Sequence, residues 1–311
     1  MSYGIFAKNL GKIKEVRVDL KPFTLITGND EMKTIVRELF VFAATVQSQS
    51  CGNGVKSIGL ERIWNFLSLI NEDTEIECYS QGERFLRQKG FKGSAEPAAC
   101  TGRIKFVEID CRGASKDSDI SLLVESFCQT QMERGYVGGI YWVKNPEKVI
   151  PAKHRTKFIG ELASITSKKY PNAYIVVETE CPLVAEAVNL AIAAGVALER
   201  DERFVEESKV LKKIAKSGRF FSDCKELTTS YLLKKGRAFI NIEDDEPLID
   251  LTDIWKNHNK TVDAIDDIIK TVKNGCVDEG DTSLDEGYTS LEEELAKDAL
   301  DNDKNNKEVE E

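Results

Sequence analysis

The chain has 311 residues, 41% of them hydrophobic, and a formal net charge of −10, enough for one large α/β domain or two small ones with a real core. It contains no run of about 18 apolar residues, so no membrane-spanning helix is expected, and its opening residues lack the apolar stretch of a signal peptide. Eight cysteines without a CxxC pair suggest neither a zinc site nor a thioredoxin-like motif; a reduced, cytoplasmic setting is the simplest reading.

The acidity is local. Residues 274–311 hold 14 Asp and Glu against three Lys, which leaves 39 acids and 40 bases in the rest of the chain. A folded body over 1–272 and an acidic, disordered tail over 273–311 are therefore expected. The tail repeats itself, DEGDTSL then DEGYTSL, and Ser290 with Glu293 forms a capping box. It is read as a solvated segment, with a short helix formed on meeting a partner as the alternative.

In chain order, Val16–Leu20 alternates with period two, as a half-buried strand does, and Phe23–Thr27 is a short apolar run ending at Gly28. Lys33–Thr45 carries Ile35, Val36, Leu39, Phe40 and Ala43 on one helical face. A helix is read over Trp64–Ile70, a strand over Glu75–Tyr79 and a loop over the Gly- and Ala-rich Gln88–Cys100. Ile104–Ile109 alternates as a strand, Ile120–Glu133 is read as a helix, and Gly139–Val143 is a buried strand. Arg155–Ser167 aligns Phe158, Leu162 and Ile165 on a helical face; Ala173–Glu178 is a buried strand and Pro182–Leu198 an apolar helix. A charged helix follows over 203–219, then two strands over Thr228–Ile242 turning at Lys235-Gly236, and a final helical stretch over Thr252–Val272. Such alternation implies a mainly parallel sheet with helices on both faces.

Two segments carry chemistry. GNDEMKT, Gly28 to Thr34, sits between a strand and a helix, the context of a phosphate-binding loop. Gly28 permits the turn, Lys33 suits β and γ phosphates, and the Thr34 hydroxyl suits magnesium. The loop is one residue short of GxxxxGK[ST], Met32 replaces the second glycine, and Asp30 and Glu31 would repel phosphate. The second segment, Ile140 to Pro151, reads IYWVKNPEKVIP: a buried strand, then Lys144, Asn145 and Pro146-Glu147.

Together with the opening strands over 9–28 and the serines of Ser115–Ser121, these segments follow the order found in ABC-type ATPases of the RecF/SMC/OLD-like group, which the chain resembles over about residues 5–242. The resemblance implies a P-loop NTPase-like α/β head with antiparallel strands near the N-terminus. It also implies two acids at positions 144 and 145 and a histidine at position 180, where this chain has Lys144, Asn145 and Glu180. A lysine does not hold a divalent cation, an amide does not take a proton from water, and a carboxylate repels a γ-phosphate. The resemblance therefore implies a degenerate head deficient in hydrolysis, acting as a binding or regulatory subunit. Its partner would be a protein, either an active ATPase relative or a second copy of the chain. The alternative is an ATPase of a DNA-related or defence system that binds ATP and magnesium through Gly28, Lys33 and Thr34 and uses Glu147 as its acid.

Two basic clusters, Arg84, Arg87, Lys89 and Lys92 beside Phe85 and Phe91, and Lys209, Lys212, Lys213, Lys216 and Arg219, are read as solvated faces in preference to a nucleic-acid surface. The two histidines, His154 and His258, lie in no nucleophile context.

Overall fold

A computed structural model describes residues 3–50, 65–95, 104–111, 121–122, 124–126, 128, 138–168, 173–200, 209–241 and 248–255. The chain begins as an antiparallel hairpin, β1 (Tyr3–Leu10) on β2 (Ile13–Leu20), in register from Tyr3 opposite Leu20 to Leu10 opposite Ile13. The expected alternation is present: Val16, Val18 and Leu20 are buried and Arg17 is exposed. β3 (Phe23–Gly28) leads into the helix α1 (Asp30–Ser50). β4 (Glu75–Ser80), β5 (Glu83–Lys89) and β6 (Lys92–Ala95) form a meander hydrogen-bonded to β1. β7 (Ile104–Asp110), β8 (Gly138–Lys144) and β9 (Ala173–Glu178) alternate with the helices α2 (Ala152–Lys168) and α3 (Pro182–Arg200). The helices α4 (Lys209–Ser217) and α5 (Cys224–Leu227) precede the hairpin of β10 (Thr228–Lys234) and β11 (Arg237–Ile240), which turns at Lys235-Gly236 as the sequence indicates.

The eleven strands among the described residues share one sheet in the order β6-β5-β4-β1-β2-β11-β10-β3-β9-β8-β7. The block from β10 to β7 is wholly parallel. The block from β6 to β2 is antiparallel, and a single parallel bridge, Arg237 to Glu15, joins β11 to β2. The expected antiparallel strands near the N-terminus thus extend through the whole meander.

Alternate side chains of the parallel strands feed two cores, one on each face. Ile26, Trp142 and Val176 meet Ile35, Val36, Leu39 and Phe40 of α1. Leu25, Val143 and Val177 meet Phe158 and Leu162 of α2 and Val184 and Val188 of α3. Helices therefore cover both faces, and this is why the central strands read as unbroken apolar runs. Full burial of one such side chain contributes about 1.5–3 kcal/mol, against about 0–1 for an exposed ion pair, so the two cores hold the sheet together. The apolarity of α3 has the same origin. It is a described helix long and apolar enough to cross a membrane, and half of that window is buried within the fold.

Some expectations need correction. Part of the presumed loop Gln88–Cys100 is strand: Lys92–Ala95 pairs along β5, from Leu86 opposite Ala95 to Lys89 opposite Lys92. KGSA has no apolar alternation; the open edge of β5 supplies its ladder partner instead. α1 begins at Asp30, three residues before the helical pattern does. Of the helix expected over Trp64–Ile70, residues 65–67 are helical, and of that over Ile120–Glu133, residues 121, 122, 124–126 and 128 are helical. Helical residues 252–255 begin the last expected helix. Trp64, residues 203–208, Ser115–Ile120, the body–tail boundary and the tail lie outside the described residues.

Candidate functional site at the carboxyl ends of the parallel strands

In open α/β sheets, ligands bind beyond the carboxyl ends of the strands. Here β3 ends at Gly28, β8 at Lys144 and β9 at Glu178. The register aligns Asp110, Lys144 and Glu178 across three neighbouring strands.

Gly28 has φ of 105°, and a Cβ placed there would lie 2.2 Å from the Leu233 carbonyl oxygen. The glycine is thus required by the close passage of β10. The next N–H, of Asn29, donates to that same Leu233 oxygen at 3.0 Å. Asn29 then starts the helix at once. Its Oδ1 accepts from the Met32 N–H at 3.1 Å and its carbonyl oxygen accepts from the Lys33 N–H at 2.9 Å, the arrangement of an N-cap. Residues 30–34, expected as a phosphate loop, form the first turn of α1, and the N–H groups of Met32 and Lys33 already have acceptors.

The Lys33 side chain is fully buried. Its Nζ lies 2.9 Å from Asp30 Oδ1 and 3.0 Å from Glu180 Oε1, and both carboxylates face solvent. Burial alone would raise the Asp30 carboxyl, but the hydrogen bond and charge of Lys33 outweigh it and hold the group below its ordinary value. Thr34, the expected magnesium ligand, is exposed on α1.

Lys144 is half-buried at the end of β8. Asn145 turns the chain with φ 46° and ψ 56°, a left-handed conformation that asparagine adopts readily. Its N–H donates to the Glu178 carbonyl oxygen at 2.8 Å, tying the corner to β9. A single 3-10 turn over Pro146–Lys148 follows. In it, Glu147 Oε2 accepts from Thr179 Oγ1 at 2.7 Å, and that Oγ1 accepts from the Cys181 N–H at 3.0 Å. His154 lies half-buried in the first turn of α2. Glu147 and Glu180 thus flank Thr179 from two elements, while Lys33 reaches this segment from a third.

Beneath these groups lies a charged network that the sequence reading missed. Glu178 is 2% exposed; its Oε2 accepts from Arg37 Nη1 and from Trp142 Nε1, each at 2.7 Å. Arg37 Nε lies 3.6 Å from Glu108 Oε1. The available signal was the i, i+4 spacing of Lys33 and Arg37 on the buried face of α1. Around these two cations stand five carboxylates: Asp30, Glu180, Glu178, Glu108 and Glu38, the last 3.9 Å from Arg37 Nε. A polyanion approaching Lys33 meets the exposed carboxylates of Asp30 and Glu180, which already hold the ammonium. Two like charges near 4 Å repel by about 1 kcal/mol in water and by about 4 at an effective dielectric constant near 20.

The basic clusters are partly neutralised as well. Arg84 and Arg87 reach Glu77 at 3.1 and 3.5 Å, Lys89 reaches Glu75 at 3.4 Å, and Arg219 reaches Glu161 at 3.4 Å. Lys212, Lys213 and Lys216 are exposed on α4. Among the described residues, no three His, Cys, Asp or Glu side chains are grouped as a metal ion requires.

No protein-family model matches the chain, and no curated protein matches it. Among solved structures it is similar to the SMC head domain from Thermotoga maritima, at 9% identity and a TM-score of 0.38, covering 77% of this chain and 97% of that one. It is similar also to an SMC head solved bound to the C-winged helix domain of ScpA, at 9% identity and a TM-score of 0.37, with the same coverage.

Proposed function

We infer that this chain is an ATPase-like head that does not hydrolyse nucleotide and serves as a binding or regulatory subunit for a protein partner. The observation that carries this reading is the pairing of Lys33 Nζ with Asp30 and Glu180. A bound triphosphate needs that ammonium, and both carboxylates would have to leave first. Hydrolysis further needs an acid to hold magnesium and another to polarise water. Lys144 and Asn145 offer neither, and the carboxylate of Glu147 is engaged by Thr179. The partner is a protein of the same architecture, an active ATPase relative or a second copy of this chain.

The test is calorimetric titration of the purified chain with MgATP, together with phosphate release and sedimentation. Absence of saturable binding and of turnover is expected. Saturable binding lost in Lys33→Ala, with turnover lost in Glu147→Gln, would replace this reading by that of a working ATPase.

A further inference from the structure

We propose that Asp30 and Glu180 act as a tethered counter-anion that keeps an anion site at Lys33 closed. This rests on reading residues 28–34 as a phosphate-loop relative, and it adds that the closure is made by charge and can be undone.

A fully buried ammonium is costly unless it is paired and hydrogen-bonded. Lys33 meets that need from two elements: Asp30, three residues earlier on α1, and Glu180, just after β9. The three groups differ in burial. The lysine side chain has no exposure, whereas the side chains of Asp30 and Glu180 are 75% and 54% exposed. The carboxylates thus stand between the ammonium and solvent and keep much of their hydration. The exposed carboxylates give up little hydration in pairing, but the buried ammonium needs a partner throughout, so an incoming anion has to replace a carboxylate as it leaves. The surroundings otherwise favour negative charge. Lys33 lies in the first turn of a 21-residue helix, whose amino end attracts anions, and the positive charge of Lys148 also acts on Asp30. The position is therefore built for an anion and supplied with one by the chain itself.

The probe is inorganic pyrophosphate, titrated calorimetrically into the full chain at low salt. Wild type is expected to give no saturable binding. Glu180→Gln, which leaves Asp30 to hold the buried ammonium, is expected to gain affinity. Asp30→Asn with Glu180→Gln is expected to bind saturably, at least about tenfold more tightly than the detection limit that wild type fails to reach, the scale set by removing two like charges near 4 Å. Adding Lys33→Met, which keeps most of the side-chain volume, should abolish the gain. Equal affinity in wild type and the double variant, no gain in Glu180→Gln, or binding that survives Lys33→Met would each overturn the proposal. Turnover of ATP by wild type would instead strike the non-catalytic reading, whereas inert wild type with an inert double variant would strike this inference alone.

Discussion

Arg37 Nη1 lies 2.7 Å from Glu178 Oε2, and the two side chains, 141 residues apart in sequence, are buried together under the carboxyl ends of the parallel strands. The same oxygen accepts from Trp142 Nε1, so one carboxylate joins α1, β8 and β9. Its position also fixes the backbone above it, because the Glu178 carbonyl oxygen receives the Asn145 N–H.

Removing Glu178 leaves the buried Arg37 with only its longer contacts, to Glu108 at 3.6 Å and Glu38 at 3.9 Å. Glu178→Ala is expected to destabilise the fold by about 3–5 kcal/mol. Urea unfolding followed by circular dichroism measures it. A loss below about 1 kcal/mol, the size of an exposed pair, would show that the network is not the internal tie described.

Gly28→Ala confronts the Leu233 backbone and not a flexible side chain. The positive φ alone costs a side chain about 1–3 kcal/mol, and the 2.2 Å approach to the Leu233 oxygen adds a clash. We expect a larger loss than from Gly82→Ala, where φ is 83° but no atom lies within 4 Å. Equal melting temperatures for the two variants would contradict the close passage of β10.

Tyr231 bridges β10 to β2 with its hydroxyl, which accepts from the Asp19 N–H at 3.0 Å and donates to the Asp19 carbonyl oxygen at 3.1 Å. Tyr231→Phe leaves both backbone groups without that partner and should cost about 1–3 kcal/mol. Faster amide exchange at Asp19 in the variant would locate the loss; unchanged exchange there would refute the bridge.

Acid sensitivity follows from Asp30. Its carboxyl is depressed in the folded state from an ordinary value of 3.8. The stability that its pairing contributes is therefore complete above pH 3.8 and is lost as the pH falls through the lower folded value. Asp30→Asn should lose less stability than wild type on acidification through that window at low salt. The difference should shrink in about 1 M salt, where screening acts within about 3 Å. A parallel acid limb in both proteins would count against the pairing.

Thiol reactivity should be ordered by burial. Cys78 and Cys128 are buried, and burial pushes the Cys128 thiol up to about 12 and raises that of Cys78 too. Cys181 is partly exposed, and its Sγ accepts from Arg155 Nη1 at 3.0 Å. In a native alkylation time course read by peptide mass spectrometry, Cys181 should label at least about tenfold faster than either. Comparable rates would mean that those two core positions open readily.

The local order of this protein was legible in its residues. Period-two alternation marked β2 and β7, unbroken apolar runs marked β3, β8 and β9, a helical stripe marked α1, and Lys235-Gly236 marked the last hairpin. These signals are local because a strand or helix repeats its exposure every two or 3.6 residues. Lys33, Asn145, Glu147 and Glu180 also stood out by their chemical types at particular spacings. Which groups they would meet was not legible. Lys33 finds Glu180 across 147 residues, Arg37 finds Glu178, and Lys92–Ala95 becomes a strand because β5 offers an edge. Such pairings depend on how crossovers order the strands, and no periodicity within one segment carries that information. The sequence determined the elements whose residues repeat with a period of their own and the faces those elements bury. The tertiary structure decided which charges cancel at the strand ends, because a charge is neutralised by what lies within a few ångströms and not by its neighbours along the chain.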